Sequence, residues 1–157
     1  MNWKEYITEI NDFPKKGVSF KDISPLLSSG LFFKAVEEMF GLVETPDYWV
    51  GIESRGFIFA SSLSMIDGGL VLCRKKGKLP PPIVSETYQL EYGEDTLEMR
   101  PGSGRVVIVD DVYASGGTMA AARKLCERAG YEVVGELVLI NLTYLNDSKE
   151  VKSLITY

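Results

Sequence analysis

Two adjacent carboxylates, Asp110 and Asp111, lie between a run of aliphatic residues and a loop of small and hydroxyl residues. The run is Val106–Val109, and the loop reads Ala114-Ser115-Gly116-Gly117-Thr118. Ligands of open α/β sheets bind at the carboxyl ends of strands, and the free N–H groups of a helix N-terminus favour an anion. Glycine lets the backbone approach a ligand closely, and hydroxyl groups add donors. The pattern therefore predicts a phosphate-binding loop between a buried strand and a helix.

The acid pair indicates what the phosphate is attached to. Carboxylates beside an anion site repel a phosphate unless something separates the charges, and a ribose does so. Asp110 and Asp111 can accept hydrogen bonds from its 2- and 3-hydroxyls while the loop holds the 5-phosphate. Competing patterns fail, because G-x-x-x-x-G-K-[ST] is absent and Gly102-x-Gly104 precedes the strand without a third glycine. A ribose 5-phosphate is favoured, and an ordinary strand–turn–helix with an aspartate cap is the alternative.

Positive charge is concentrated at two places in a chain whose net charge is −5. Arg55 follows an apolar run at a turn, where a guanidinium can grip pyrophosphate oxygens through parallel hydrogen bonds. A second cluster follows another apolar run and comprises Arg74, Lys75, Lys76 and Lys78. Taken alone, Arg55 could cap a helix and the cluster could be a solvated face. Their position at the same predicted sheet edge as the phosphate loop favours binding of a leaving pyrophosphate.

The periodicity of apolar residues predicts the elements that must position these groups. Short, continuously apolar runs predict strands at Tyr48–Ile52, Leu70–Cys73, Val106–Val109 and Val133–Ile140. Helical patterns cover Leu31–Val43, Phe57–Ile66 and Thr118–Ala129. A short N-terminal helix would place Trp3, Tyr6, Ile7 and Ile10 on one face. Apolar strands that alternate with helices indicate an α/β fold, a parallel sheet flanked by helices.

The segment 75–104 breaks this alternation. It contains Pro80-Pro81-Pro82, many polar residues and little apolar periodicity. A connection of this length without clear structure is usually functional or disordered. We expect it to form a mobile flap or hairpin over an active site.

Composition excludes several classes of protein. The chain has 157 residues, a common size for one domain, and it contains no histidine, which removes histidine-based nucleophilic catalysis and histidine zinc sites. The net charge of −5 argues against nucleic-acid binding. Cys73 and Cys126 lie in apolar stretches typical of reduced core residues, and no apolar run resembles a signal core or a membrane span. We expect a single cytoplasmic domain over residues 1–157, neither exported nor bound to a membrane.

The residues Val109–Thr118 closely resemble the signature with which type I phosphoribosyltransferases bind phosphoribosyl pyrophosphate (PRPP). Other segments are similar to the branch of that family that uses adenine. Phe13–Leu26 resembles its base-binding stretch, Gly51–Phe57 its pyrophosphate loop, and Arg74–Pro80 with Tyr88–Gly93 its basic strand end and catalytic flap. The segments occur in family order from residue 13 to residue 118. On this resemblance the chain is identified as a member of the family.

The resemblance implies the type I phosphoribosyltransferase fold, with a small N-terminal hood over residues 1–30 and a flexible flap over residues 75–104. It implies a purine salvage enzyme that converts adenine and PRPP to AMP and pyrophosphate and works as a homodimer. It also implies Mg²⁺ that is held mainly by substrate and water, without a direct protein ligand. The open alternatives are a phosphoribosyltransferase for another purine base, such as hypoxanthine or xanthine, and a PRPP-binding regulator without catalysis.

The resemblance further implies roles for individual residues. Adenine lies between Phe20 and Leu142, and backbone groups of Ser19 and Lys21 bond its edge. The pyrophosphate is bound by Ser54, Arg55, Arg74, Lys75 and Lys78. Catalysis is assigned to Arg55, to Glu91, which handles a proton at the purine, and to Tyr92, which packs over the reacting centre.

Some positions depart from the usual family pattern. Val112-Tyr113 stands where a pair of aliphatic residues is usual, and Asn141 occupies a commonly acidic position. Ser115 replaces a threonine and keeps the hydroxyl.

Overall fold

The N-terminal part of the chain forms a small antiparallel unit beside the main sheet. The computed structural model describes residues 1–90 and 92–157. A 3₁₀ helix spans Trp3–Tyr6 and is followed by strands β1 (Thr8–Asn11) and β2 (Ser19–Asp22) and by helix α1 (Ser24–Ser28). The prediction of a helix that reaches Ile10 is wrong, because Ile10 lies in β1 opposite Phe20. Trp3 and Ile7 are buried as the apolar pattern required, but the backbone from Thr8 onward pairs with β2 instead.

Most of the remaining chain builds one seven-stranded sheet. Its strands are β3 (Tyr48–Ile52), β4 (Gly69–Lys75), β5 (Val84–Leu90), β6 (Gly93–Met99), β7 (Gly104–Tyr113), β8 (Tyr131–Asn141) and β9 (Lys152–Thr156). They lie in the order β5-β6-β4-β3-β7-β8-β9. The pairs from β4 to β9 are parallel. The predicted parallel sheet is confirmed for these strands.

Helices cover both faces of the sheet, as predicted. They are α2 (Phe32–Phe40), α3 (Gly56–Ile66) and α4 (Gly117–Ala129), with a further 3₁₀ helix at Thr143–Leu145. Val107 and Val109 of β7 pack in a core with Phe59 of α3, whereas Val106 and Ile108 pack in a second core with α4. This alternation follows from the two-residue period of a strand, and a strand buried on both faces must be apolar throughout. Within residues 1–90 and 92–157, no helix is long and apolar enough to cross a membrane.

The predicted flap segment contains an antiparallel hairpin. Strand β5 pairs with β6, with Val84 opposite Met99 and Leu90 opposite Gly93. Strand β6 also pairs antiparallel with the end of β4, where Lys75 lies opposite Leu97. The hairpin is therefore confirmed, and it makes the sheet mixed, because strands joined by a short connection pair antiparallel.

The parallel strands bring the predicted chemistry to one edge of the sheet. Segments that follow neighbouring parallel strands meet at the carboxyl edge. Glu53–Arg55 follow β3, Lys75 ends β4, Asp110–Thr118 cover the end of β7 and the loop after it, and Leu142 follows β8. Residues from four distant parts of the chain thus surround one site.

Candidate active site

Three adjoining cavities lie along the carboxyl edge of the sheet, and Val112 lines all of them. The first, of about 100 Å³, is lined by Asp110, Tyr113, Met119 and the predicted phosphate loop. The second, of about 480 Å³, is lined by residues that include Ser54, Arg55, Lys75, Asp110, Asp111 and Thr118. The third, of about 160 Å³, is lined by Val18, Ser19, Phe20, Lys21, Arg55 and Leu142. Their linings contain the residues predicted from the sequence for a phosphate, for a ribose with pyrophosphate, and for a base, in that order.

The phosphate loop occupies the turn between β7 and α4, as predicted. Gly116 is the N-cap residue of α4 and adopts a φ of 94°. The first N–H groups of α4 have no acceptor within the helix and favour an anion beside them. Among the described residues, those that line the first cavity include no lysine or arginine. An anion there would be bound by backbone and hydroxyl donors.

Replacing Gly116 by alanine is expected to lower the free energy of unfolding by about 2 kcal/mol. The left-handed backbone strains an L side chain, and the added Cβ would lie 2.5 Å from the Tyr113 hydroxyl oxygen. Gly117→Ala is the matched control, since a Cβ at Gly117 meets nothing within 4 Å. Urea denaturation measures both variants. Equal stability of the two would contradict this account of Gly116.

Of the acid pair, Asp110 lines both the first and the second cavity, whereas Asp111 lines the second. Asp110 Oδ1 accepts the backbone N–H of Asp111 at 2.9 Å. Burial, followed by the neighbouring Asp111 carboxylate, raises the pKa of Asp110 well above its ordinary value. Asp111 is buried and its Oδ2 lies 2.7 Å from Arg55 Nε, in an ion pair without hydrogen-bond alignment. The site thus contains a crowded pair of acids that a cation partly balances.

Arg55 joins the second cavity to the third. Its guanidinium contacts Asp111 on one side and lies 5.4 Å from the ring centroid of Phe20 on the other. The Arg55 side chain is 44% exposed, so the group is open to the cleft. The sequence predicted this arginine as a pyrophosphate ligand, but neither contact was predictable from spacing.

The basic cluster is organised by Glu53, which the sequence analysis did not single out. Arg74 Nε lies 3.1 Å from Glu53 Oε1, and Lys78 Nζ lies 2.5 Å from Glu53 Oε2. Burial acts to raise the pKa of Glu53, but Lys78, the Lys75 backbone N–H and Arg74 outweigh it, and the pKa is lowered. Arg74 and Lys78 therefore lie beside the cleft on a common carboxylate and are not among the residues that line the second cavity.

Lys75 reaches the second cavity and connects it with the hairpin. Its ammonium forms an ion pair with Asp95 on β6. Burial acts to lower the pKa of Lys75, but Asp95 and Tyr88 outweigh it, and the pKa is raised. The Tyr88 hydroxyl lies 3.4 Å from Asp95 Oδ2 and 3.5 Å from Thr118 Oγ1. This chain of polar groups joins β4, the hairpin and the start of α4.

The third cavity combines the residues that the resemblance assigned to a purine base. Phe20 and Leu142 both line it, as do Ser19 and Lys21 of β2. The Phe13 ring supports Phe20 at 5.1 Å in an edge-on contact. The Lys21 ammonium turns away to Glu9 at 2.7 Å, which agrees with a backbone rather than a side-chain role for Lys21. In the described residues β2 pairs with β1 alone, so its other edge has N–H and C=O groups free to read a base.

Asn146 joins the phosphate loop to the base cavity, and the sequence contains no signal for this role. Its side-chain amide nitrogen lies 2.8 Å from Ala114 O, 2.9 Å from Leu142 O and 3.0 Å from Asn141 Oδ1. Asn141, the position that departs from an acidic residue, is buried and lies within this group. These hydrogen bonds connect the loop after β7 with the loop after β8.

The tip of the hairpin lies beside the N-terminal unit. Glu91, to which the resemblance assigned proton handling, falls outside the described residues. Tyr92 is 80% exposed, and the Lys15 ammonium lies 4.6 Å from its ring centroid. Tyr92 does not line any of the three cavities in this arrangement.

Comparisons with known proteins identify the family of this chain. A family model of the phosphoribosyl transferase domain matches residues 26–155. The chain is 48% identical over 163 residues to an adenine phosphoribosyltransferase of Hydrogenovibrio crunogenus, which covers 98% of this chain and 95% of that protein. The comparison with a crystal structure of adenine phosphoribosyltransferase from Thermoanaerobacter pseudethanolicus has a TM-score of 0.90 and 41% identity, over 98% and 97% of the two chains.

A third comparison is with adenine phosphoribosyltransferase from Saccharomyces cerevisiae, solved with adenine and an imino-altritol bisphosphate. The TM-score is 0.80 at 37% identity, over 90% of this chain and 88% of that one. The two adenine phosphoribosyltransferases named first match nearly the whole chain. The chain therefore belongs to the phosphoribosyltransferase family, among its adenine phosphoribosyltransferases.

Proposed function

We propose that this protein transfers the ribose 5-phosphate of PRPP to adenine and releases pyrophosphate, giving AMP. The observation that carries the proposal is the row of three cavities that meet at Val112. The first offers neutral donors to a phosphate, the second combines acids with Arg55 and Lys75, and the third has an aromatic wall at Phe20. The Saccharomyces cerevisiae relative was solved with adenine, which supports the same base here.

The reaction is a displacement at the anomeric carbon of the ribose. A bond forms from an adenine ring nitrogen to that carbon, the bond from the carbon to the pyrophosphate oxygen breaks, and the nitrogen loses its proton. Positive charge develops on the sugar in the transition state, and Asp110 and Asp111 lie where the ribose would bind. The protein forms no covalent bond with the substrate, so positioning and electrostatic stabilisation account for the rate enhancement. We assign the handling of this proton to Glu91, from the family resemblance alone.

Arg55 has to exchange partners during this reaction. Its guanidinium contacts the Asp111 carboxylate at 2.7 Å and lies over the Phe20 ring. A pyrophosphate in the second cavity offers more negative charge than a single carboxylate and can accept two parallel hydrogen bonds. The exchange would free Asp111 to accept a hydrogen bond from a ribose hydroxyl. It would also uncover the face of the Phe20 ring for the purine.

The remaining pyrophosphate contacts are assigned to the residues around Glu53. Ser54 and Lys75 line the second cavity. Arg74 and Lys78 reach the leaving group by turning from Glu53, since both side chains are partly exposed.

The donor set of the cleft fits a magnesium ion that arrives with the substrate. Mg²⁺ prefers oxygen ligands and keeps several waters. Among the described residues no group of three or more histidine, cysteine, aspartate or glutamate side chains could hold a metal. Asp110 and Asp111 would stand beside an ion whose ligands are mainly pyrophosphate and ribose oxygens and water. Such an ion would neutralise negative charge that develops on the leaving pyrophosphate.

The hood over residues 1–30 and the flap over residues 75–104 would close over the reacting centre. The contact between Lys15 and Tyr92 already joins the two segments at the hairpin tip. Closure would exclude water and suppress hydrolysis of PRPP. It would also bring Tyr92 from its exposed position to the reacting atoms.

We further propose that the protein is a homodimer. Leu70 and Leu72 of β4 are 39% and 37% exposed although β4 lies inside the sheet, and Met65 near the end of α3 is 84% exposed. Residues two apart on a strand share a face, so the sheet has an uncovered apolar face at this point. A second copy of the chain would bury it, as expected for an exposed apolar patch.

Leu72→Glu is expected to convert the dimer to monomer, because a carboxylate would be buried without a partner in the interface. Sedimentation velocity measures the change. Leu42→Glu is the control, since Leu42 is also 39% exposed but lies after α2. A dimer that survives Leu72→Glu would contradict this interface.

We propose a cytoplasmic location because the two cysteines are not joined in a disulfide. Cys73 and Cys126 are both free and buried. Burial raises the pKa of the Cys126 thiol to about 12, so the thiol stays protonated and unreactive. Unpaired thiols in the core suit a reducing compartment.

The proposed reaction is tested by measuring AMP formation from PRPP, Mg²⁺ and adenine, beside parallel reactions with hypoxanthine, guanine and xanthine. Turnover with adenine alone is the expected result. Turnover with a different base would keep the PRPP site and overturn the assignment of the third cavity. Binding of PRPP without turnover of any base would indicate a regulator that has lost catalysis.

A further inference from the structure

Tyr113 places a phenol against the phosphate loop. Its ring packs at the margin of the core between the sheet and α4, and the residue lines the first cavity. A Cβ added at Gly116 would lie 2.5 Å from the Tyr113 hydroxyl oxygen and 2.9 Å from the ring carbon that carries it. The hydroxyl therefore occupies the space that a side chain at the N-cap of α4 would fill.

This hydroxyl has no protein partner among residues 1–90 and 92–157. The hydrogen bonds of the described part of the chain include those of the Tyr88 hydroxyl but none to the Tyr113 hydroxyl. A phenol held in a folded protein usually finds a hydrogen-bond partner, which is why tyrosine is used where one end must be polar. The Tyr113 hydroxyl is thus a spare donor at the wall of a small cavity.

The first cavity suits a phosphate group more than any larger ligand. Its volume is about 100 Å³, compared with about 480 Å³ for the neighbouring cleft. Its described lining residues include Asp110 and no cation. A dianion in this cavity depends on neutral donors, and hydrogen bonds to charged groups are stronger than those between neutral groups. One further O–H donor would therefore contribute measurably to affinity.

We propose that the Tyr113 hydroxyl donates a hydrogen bond to the 5-phosphate of PRPP and of AMP, in addition to the donors of the loop. The inference rests on the proposed function, which places a 5-phosphate in this cavity. Gly116 and Tyr113 act as a matched pair, since only a residue without a Cβ at position 116 leaves room for the hydroxyl. Tyr113 is thereby a phosphate-binding residue of this chain.

The test is Tyr113→Phe, which removes the hydroxyl and keeps the ring. The dissociation constants of AMP and ribose 5-phosphate are expected to rise about tenfold, with a similar rise in KM for PRPP. The KM for adenine at saturating PRPP and the kcat are expected to change less than twofold, because adenine carries no phosphate. Calorimetry and initial rates measure these constants.

Tyr131→Phe is the matched control. Tyr131 packs on the same core, and its hydroxyl also lies against a glycine, Gly102, at the other end of the sheet. This variant should bind ribose 5-phosphate like the parent. Unchanged affinity of Tyr113→Phe for ribose 5-phosphate would overturn the proposal, as would an equal loss of adenine and phosphate binding, which indicates a structural role.

The parent protein separates failure of this inference from failure of the proposed function. If the parent binds ribose 5-phosphate but forms no AMP, the proposed reaction is wrong. A tenfold loss of affinity for ribose 5-phosphate in Tyr113→Phe would still support the phosphate contact. A parent that binds neither AMP nor ribose 5-phosphate overturns both.

Discussion

Replacing Arg55 by alanine is expected to lower kcat/KM for PRPP roughly 30- to 4000-fold. The guanidinium lies in the cleft that the pyrophosphate would occupy, and its charge would be lost just where negative charge accumulates on the leaving group. Truncation also removes the cation that balances the buried Asp111 at 2.7 Å. The acid pair would then repel the incoming phosphates more strongly. Steady-state kinetics with varied PRPP measures the loss.

The effect on stability should be much smaller. The Arg55 side chain is 44% exposed whereas that of Asp111 is 6% exposed, and the open side of the pair lets water solvate the Asp111 carboxylate once the guanidinium is removed. Arg105→Ala is the control, because Arg105 forms an exposed ion pair with Glu44 at 3.5 Å near the start of β7, away from the cavities. Arg55→Lys, which keeps the charge without the planar fork, should retain an intermediate rate. Parent-like turnover in Arg55→Ala would remove the pyrophosphate assignment.

Changing Asp110 and Asp111 together to asparagine is expected to weaken PRPP binding tenfold or more. Hydrogen bonds to a charged acceptor are worth about 1.5–3 kcal/mol, and a neutral amide accepts the ribose hydroxyls less strongly. The loss should appear as a raised dissociation constant for PRPP in calorimetry. A parent-like PRPP affinity would contradict the ribose role of the acid pair.

The single change Asp110→Asn is expected to stabilise the folded protein and to raise the melting temperature at pH 7. Burial and Asp111 raise the pKa of Asp110 in the folded state above its unfolded value of about 3.9. The protonated form is thus favoured by folding, and the folded protein loses stability as pH rises from the unfolded pKa to the folded pKa. An asparagine Oδ1 can still accept the Asp111 N–H without this penalty.

Asp67→Asn is the matched control for stability. Asp67 makes the same contact with the next backbone N–H, to Gly68 at 2.8 Å, but it is exposed. Its substitution should leave the melting temperature and its pH dependence nearly unchanged. If Asp110→Asn melts below the parent at pH 7 while Asp67→Asn does not, the electrostatic account of Asp110 is wrong. A gain in stability with a loss of binding would show a functional site that strains the fold.

Local patterns were enough to predict the elements that are buried on both faces. Tyr48–Ile52 was predicted with its observed bounds, and the helix predicted from Thr118 begins one residue earlier, at Gly117. Strands with little burial were missed, including β1, whose residues are all exposed, and β9 at the sheet edge. An exposed or edge strand needs no apolar pattern, because its pairing partner and not its composition decides its structure.

The phosphate loop and the acid pair could be predicted from the sequence, because a strand, a loop and a helix N-terminus are contiguous in the chain and their chemistry is set by neighbours within a few residues. The contacts across the site are visible only in the folded protein. Arg55 contacts Asp111 and Phe20, Glu53 collects Arg74 and Lys78, and the Asn146 amide joins two loops. Apart from the contact of Asn146 with Leu142, these contacts join residues that are far apart in the chain. Their geometry depends on strand order and register, which a side chain's type and spacing do not encode.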